Sequence, residues 1–221
     1  MRAYRSEATS AGALFIIATT ATMAGQVIIA PMLIASDVAG HVADNRTLFV
    51  VGVLLELTNA LASVGIAIAL YPVIWRCTPS LAVAYVSLRG IEASLGAVAA
   101  TGLLTLLSHD ATDAAVALHD WAFLLVLFVF SIGTLILYPV LFKFRLVPMV
   151  LSLWGLIGGG MLLCSVLLIL FGRIEIGSTV DLILSLPIWI NELVLALWLI
   201  VRGVDLQRAP PSPTKGIPYV G

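Results

Sequence analysis

The sequence predicts an all-α protein, a polytopic bundle of six transmembrane helices, and three observations predict it. Of its 221 residues 61% are hydrophobic and 10% charged, and the mean hydropathy is +1.13, far from the roughly half-apolar make-up of a soluble domain. Apolar runs recur along the whole chain, each reaching the ~20 residues that a helix needs to cross a bilayer. Strict period-two alternation, the mark of a membrane barrel, is missing from those runs.

The first span is expected over about residues 11–34, with Glu7, Thr9 and Ser10 as capping residues ahead of it. Arg2 and Arg5 precede it as in a signal peptide, but no small-residue cleavage box follows, so an uncleaved first helix is expected. Thr19, Thr22 and Gln26 fall on one helical face. A polar stretch, Ser36 to Thr47, leads to the second span, about 48–74, where Glu56, Asn59 and Ser63 again share a face. Such stripes are expected to look at protein and not at lipid. Trp75 to Pro79 reads as a tight connection, with Pro79 opening the third span, about 80–107.

The acidic stretch Ser108 to Asp120 is broken by the alanine-rich Ala114 to Leu118, which is expected to be partly helical. The fourth span, about 121–142, carries Ser131, Thr134 and Tyr138 on one face. Lys143, Arg145 and Pro148 separate it from the fifth, about 149–170, in which Gly155 and Gly159 form a GxxxG pair suited to close helix packing. Gly172 to Thr179 reads as a turn. The sixth span, about 180–201, holds Pro187, Asn191 and Glu192 near its middle. Residues 1–206 are thus expected to form the six-helix domain. Residues 207–221, rich in proline and poor in large apolar side chains, are expected to be a flexible tail.

Cytoplasmic connections carry an excess of Lys and Arg. With the N-terminus inside, Arg2, Arg5, Arg76, Lys143, Arg145, Arg202, Arg208 and Lys215 fall on that side and only Arg46 and Arg173 on the other. Both termini are therefore expected in the cytoplasm. The net charge of -1 excludes a strongly basic nucleic-acid surface, so the lipid bilayer is the expected partner and nucleic acid is not. Cys77 and Cys164, placed on different helices without a CxxC spacing, read as structural and unbridged.

The eleventh basic residue, Arg89, sits inside the third span, three residues before Glu92 and so on the same helical face. Ionisable groups at bilayer depth are costly and mark a site by default. At ~1.5 Å per residue, Arg89, Glu92 and Glu192 come near the midplane and Glu56 somewhat nearer the outer side. One arginine among three acids invites either a bidentate ion pair or a neutral carboxylic acid, and the second would be a proton-binding site. Asn59, Asn191 and Gln26 add polar groups at similar depth. Arg89, Glu92, Glu192, Glu56, Asn59, Asn191 and His119 are accordingly the candidate site. The competing reading is a polar network that fixes helix register and holds no ligand.

His41, His109 and His119 fall on the expected outer side near Asp37, Asp44, Asp110 and Asp120, a donor set that suits zinc. No two of these histidines are one helical turn apart, so neither a metal nor another cofactor is expected. His119, bordering the fourth span, is the one suited to look into the bundle as a proton relay. No nucleophile elbow is present.

Ala11-Gly12-Ala13-Leu14, Arg89-Gly90-Ile91-Glu92-Ala93, Leu118-His119, Pro148, and Pro187 followed by Asn191-Glu192-Leu193 and Leu197 to Gly203 occur in this order. In that order and spacing the chain, from Thr9 to Gly203, resembles a family of bacterial six-helix membrane proteins catalogued as a domain of unknown function, DUF4386. The resemblance implies six helices in a bacterial cytoplasmic membrane and brings no activity with it. Three functions compete: a protein that binds or carries a small molecule or proton, a membrane-embedded enzyme acting on a lipid through His119 and an acid, and a structural or partner-binding subunit, for instance of a homo-oligomer. The absence of an internal repeat speaks against common inverted-repeat carriers. The absence of a nucleophile or metal motif speaks against the enzyme.

Overall fold

In the computed structural model, which describes residues 4–108 and 112–205, the chain forms seven helices. They are α1 (Arg5–Leu33), α2 (Val38–Asp44), α3 (Arg46–Cys77), α4 (Pro79–Thr105), α5 (Thr112–Lys143), α6 (Met149–Leu170) and α7 (Thr179–Val201), with no strand among the described residues. All but α2 are long and apolar enough to cross a membrane. Side chains such as Leu61, Ile68 and Val150 stay exposed on the bundle's outside, as they must where the surroundings are hydrocarbon and not water.

The six long helices form a closed ring in chain order. α1 packs on α3, α3 on α4, α4 on α5, α5 on α6, α6 on α7, and α7 returns to α1. Neighbours run antiparallel. A methyl group built on Gly65 of α3 would meet Leu14 of α1, whereas one on Gly25 of α1 would meet the Gly52 carbonyl, so the pairing climbs one helix as it descends the other. The short connections leave no other choice: only Thr78, extended at φ -156° and ψ 96°, separates α3 from α4.

Several expected boundaries move, and each does so because packing extends a helix. α1 begins at Arg5, not Ala11, so Glu7, Thr9 and Ser10 lie inside it and do not cap it. Ala8 and Ala11 are fully buried there, and the backbone of Gly12 lies against Ala196 and Ile200 of α7. Trp75, Arg76 and Cys77 belong to α3 and not to a connection, while Pro79 opens α4 as expected. The polar stretch after α1 contains α2, where Asp37 accepts a hydrogen bond from the Gly40 N–H at 2.9 Å, an N-cap that the aspartate itself advertises. α5 starts at Thr112, more than two turns ahead of Trp121, because Ala115 and His119 press their backbone against Gly102 of α4. α6 matches its expected bounds and α7 matches to one residue. The expected tail, 207–221, and His109 lie outside the described residues.

The GxxxG pair has an internal partner. A side chain on Gly155 would collide with the Tyr138 ring and one on Gly159 with the Thr134 hydroxyl, so the two glycines let α5 lie close on α6. The Ser131–Thr134–Tyr138 stripe therefore meets α6. Ser131 and Thr134 also bond the backbone of their own helix, to the Leu127 and Ser131 carbonyls.

Two apolar clusters divide the bundle along its length. One lies at the α2 end and includes Ile29, Met32, Phe49, Val53, Leu103 and Ala115. The other, larger, fills the end that carries the chain's first and last helix termini, with Phe15, Leu70, Val73, Tyr85, Leu137 and Tyr138. Between them the interior is polar. Along α1 the order is Phe15, then Thr19, Thr22 and Gln26, then Ile29; along α3 it is Val53, then Glu56, Asn59 and Ser63, then Ile66.

Candidate functional site

The polar layer is built around Arg89, whose side chain is 2% exposed although it carries a fixed charge. α4 places Tyr85, Arg89 and Glu92 on its inner face at i, i+4 and i+7. The guanidinium donates from Nη1 to both oxygens of Glu92, at 3.0 and 3.1 Å, and to the Ser63 hydroxyl at 3.3 Å. Its Nε donates to the Tyr85 hydroxyl at 3.2 Å. Its carbon Cζ lies 4.9 Å from the centre of the Phe130 ring and 5.3 Å from that of Tyr85, a spacing at which aromatic rings attract a cation. Ser63 in turn donates to Glu92 Oε1 at 2.6 Å, which ties α3 to α4.

The ion pair of Arg89 is made within α4, with Glu92. Helical spacing explains this, since residues three apart meet without any help from tertiary packing. Glu192 comes to the same cavity from α7 and accepts a hydrogen bond from the Thr19 hydroxyl of α1, at 3.4 Å. Glu56, on α3, accepts from Gln26 of α1 at 3.2 Å. His119 of α5 stands beyond it, with Nδ1 3.8 Å from Glu56 Oε2 and 3.4 Å from the Ala99 carbonyl. Its ring stacks on Phe123 at 5.9 Å between centres.

Two adjoining cavities join these groups. The first, about 40 Å³, is lined by Arg89, Glu92, Glu192, Thr19, Ser63 and Asn59, with Phe130 and Trp189 among its apolar walls. The second, about 20 Å³, is lined by Glu56, Asn59, Glu92, Gly96 and Ala99. Thr22, Asn59, Glu92, Phe123 and Val126 line both. Glu92 is thus the carboxyl common to the two, with Glu192 on one side of it and Glu56 on the other. Arg89 also borders the first cavity.

Six of the seven candidates are brought together in this layer, and Asn191 is not. Asn191, fully buried, accepts from the Tyr138 hydroxyl at 2.6 Å and donates to the Leu151 carbonyl at 3.0 Å, so it fastens α7 to α5 and α6. One helix position from Glu192, it necessarily points elsewhere. Tyr85, Thr19 and Trp189 were not among the candidates. Tyr85 was findable as the residue one turn before Arg89; Thr19 and Trp189 join Glu92 only through the closing of the ring. His41 lies exposed on α2, bonded through Nδ1 to the Asp37 carbonyl at 2.9 Å, and has no contact with the polar layer among the described residues. Among the described residues no three His, Cys, Asp or Glu side chains are grouped to hold a metal ion. Cys77 and Cys164 are free, the first buried and the second exposed.

Fold and layer together define a multi-pass helical membrane protein with its ionic groups concentrated in the interior. The chain belongs to the family described as Domain of unknown function (DUF4386), whose model matches residues 10–203. No curated protein and no solved structure matches it.

Proposed function

We propose that the polar layer binds protons and that the protein carries them, or a solute no larger than a few waters, in a bacterial cytoplasmic membrane with both termini in the cytoplasm. One observation carries this reading: three carboxyls from three helices line two adjoining cavities at mid-bundle that can hold water, and the first of these also holds a single guanidinium. A guanidinium cannot lose its proton, and Glu92 already balances it. Glu56 and Glu192 have no fixed cation of their own. An ionised side chain at the centre of a bilayer costs ~2.5–3.5 kcal/mol even on the more lenient scales. Each of these two carboxyls is therefore suited to exchange its charge for a proton.

Size favours a proton over a metabolite. The two cavities, at about 40 and 20 Å³, have room for water, which supports a proton over a bulky metabolite. A register-fixing network needs neither a third carboxyl nor open space beside its arginine.

The test is proton movement into liposomes that hold the purified protein and a pH dye, driven by a potassium diffusion potential. Wild type is expected to acidify the lumen and Glu192→Gln to leave only the leak of empty liposomes, while Glu7→Gln, at the end of α1, stays at the wild-type rate. Equal rates for wild type, Glu192→Gln and empty liposomes would refute the reading and leave the network as packing. Hydrolysis of the liposome lipid, lost on His119→Ala, would replace it by the lipid enzyme.

A further inference from the structure

Resting on that reading, we infer that His119 is the entry relay, passing protons from an acidic mouth at the α2 end of the bundle to Glu56, in a conformation open to that end and closed by apolar packing at the other.

The mouth lies between the α1–α2 connection and the start of α5, and Asp37, Asp113 and Asp120 line it. Inward from it the ring is closed by apolar side chains, among them Met32, Phe49 and Leu103. α5 crosses this barrier with two consecutive ionisable residues. Asp120 lines the mouth, and His119, 3% exposed, turns the other way, to Glu56. From Glu56 the cavities continue to Glu92 and Glu192. Past Arg89 the path ends against Tyr85, Leu70, Val73 and Leu137, all at most 2% exposed.

His119 is held for such a task without being locked. Its Nδ1 is 3.4 Å from the Ala99 carbonyl and 3.8 Å from Glu56 Oε2. The first contact is a weak hydrogen bond and the second is beyond hydrogen-bond reach, so a modest rotation of the ring trades one for the other. In the transfer, Nε2 accepts a proton from water or from Asp120 on the mouth side, and Nδ1 releases its own to Glu56 Oε2. The imidazole ends as the other tautomer, neutral as it began, and a ring flip resets it. The groups that face His119 are Glu56 from α3, the Ala99 carbonyl from α4 and, on α5 itself, Asp120 and Phe123. Gln26 of α1 holds the other oxygen of Glu56.

The relay is tested in the same liposomes with His119→Ala, whose missing ring leaves a hole that fits a free azole. Proton entry is expected to fall about 100-fold, the low end of what a positioned proton-transfer group contributes. Millimolar imidazole should restore it. Pyrazole, of the same size but not basic at neutral pH, should not. His119→Gln, which keeps a polar side chain in place and cannot relay, should show the same loss if the alanine variant is poorly folded. Wild-type flux in either variant, equal rescue by both azoles, or no rescue in a His119→Ala protein that melts like wild type overturns the relay and leaves the carrier standing. A wild-type protein that moves no protons overturns both.

Discussion

Removing either partner of the Arg89–Glu92 pair should destabilise the protein unequally, and the inequality can be worked from the contacts. Glu92→Gln leaves a guanidinium 2% exposed that cannot shed its charge. Breaking a buried pair from one side costs ~3–5 kcal/mol, which at ~2–4 °C per kcal/mol for a chain of this size corresponds to a fall in Tm of about 6–20 °C. Arg89→Gln leaves a carboxyl that a proton can neutralise and that still accepts from Ser63. Its loss is mainly the hydrogen bonds to Ser63 and Tyr85, ~1 kcal/mol each, and the contact with Phe130, so about 2–3 kcal/mol. Glu192→Gln gives up one 3.4 Å bond from Thr19 and should cost ~1 kcal/mol or less.

The assay follows from the cysteines: in a Cys164→Ser background, buried Cys77 becomes the thiol that a reactive dye reports as the bundle opens. A double-mutant cycle should find Arg89 and Glu92 coupled by more than ~1 kcal/mol, and Arg89 and Glu192 additive to about 0.5 kcal/mol. Glu192→Gln more damaging than Glu92→Gln, or the stronger coupling found between Arg89 and Glu192, would refute the geometry from which these figures come.

Packing on α6 gives a second test. Gly155→Ala must displace the Tyr138 ring and should lower stability by ~1–3 kcal/mol, whereas Gly160→Ala, with nothing within 4 Å of the new methyl, should be neutral or gain up to ~1 kcal/mol of helix propensity; thermal melts of the two variants compare them directly. Orientation gives a third. With both native cysteines replaced, a cysteine at exposed Asp113 should react with an impermeant maleimide in intact cells and one at exposed Arg145 only after lysis, and the reverse pattern would invert the topology.

Sequence alone determined what depends on the solvent and on local spacing. Six apolar runs must be helices, because hydrocarbon satisfies no backbone hydrogen bond. The Thr19–Thr22–Gln26 and Glu56–Asn59–Ser63 stripes had to face inward, because period 3.6 collects them on one side and lipid would not take them. Glu92 as partner of Arg89 is of the same kind, an i, i+3 neighbour on the same face. Only the tertiary structure decided which polar stripe meets which. The third stripe looks just like the first two in sequence, yet Tyr138 goes to Asn191 and Thr134 to Gly159, because α5 turns that face to α6 and not to the ring's interior. Asn191 and Glu192, adjacent in the chain, part company for the same reason, about 100° of helical rotation sending one to a helix junction and the other to a cavity. His119 was legible as the histidine nearest the bundle, but its meeting with Glu56 required α5 to begin two turns earlier than the apolar run. That extension is set by the close approach of α4 at Gly102, a contact between segments that no local pattern records.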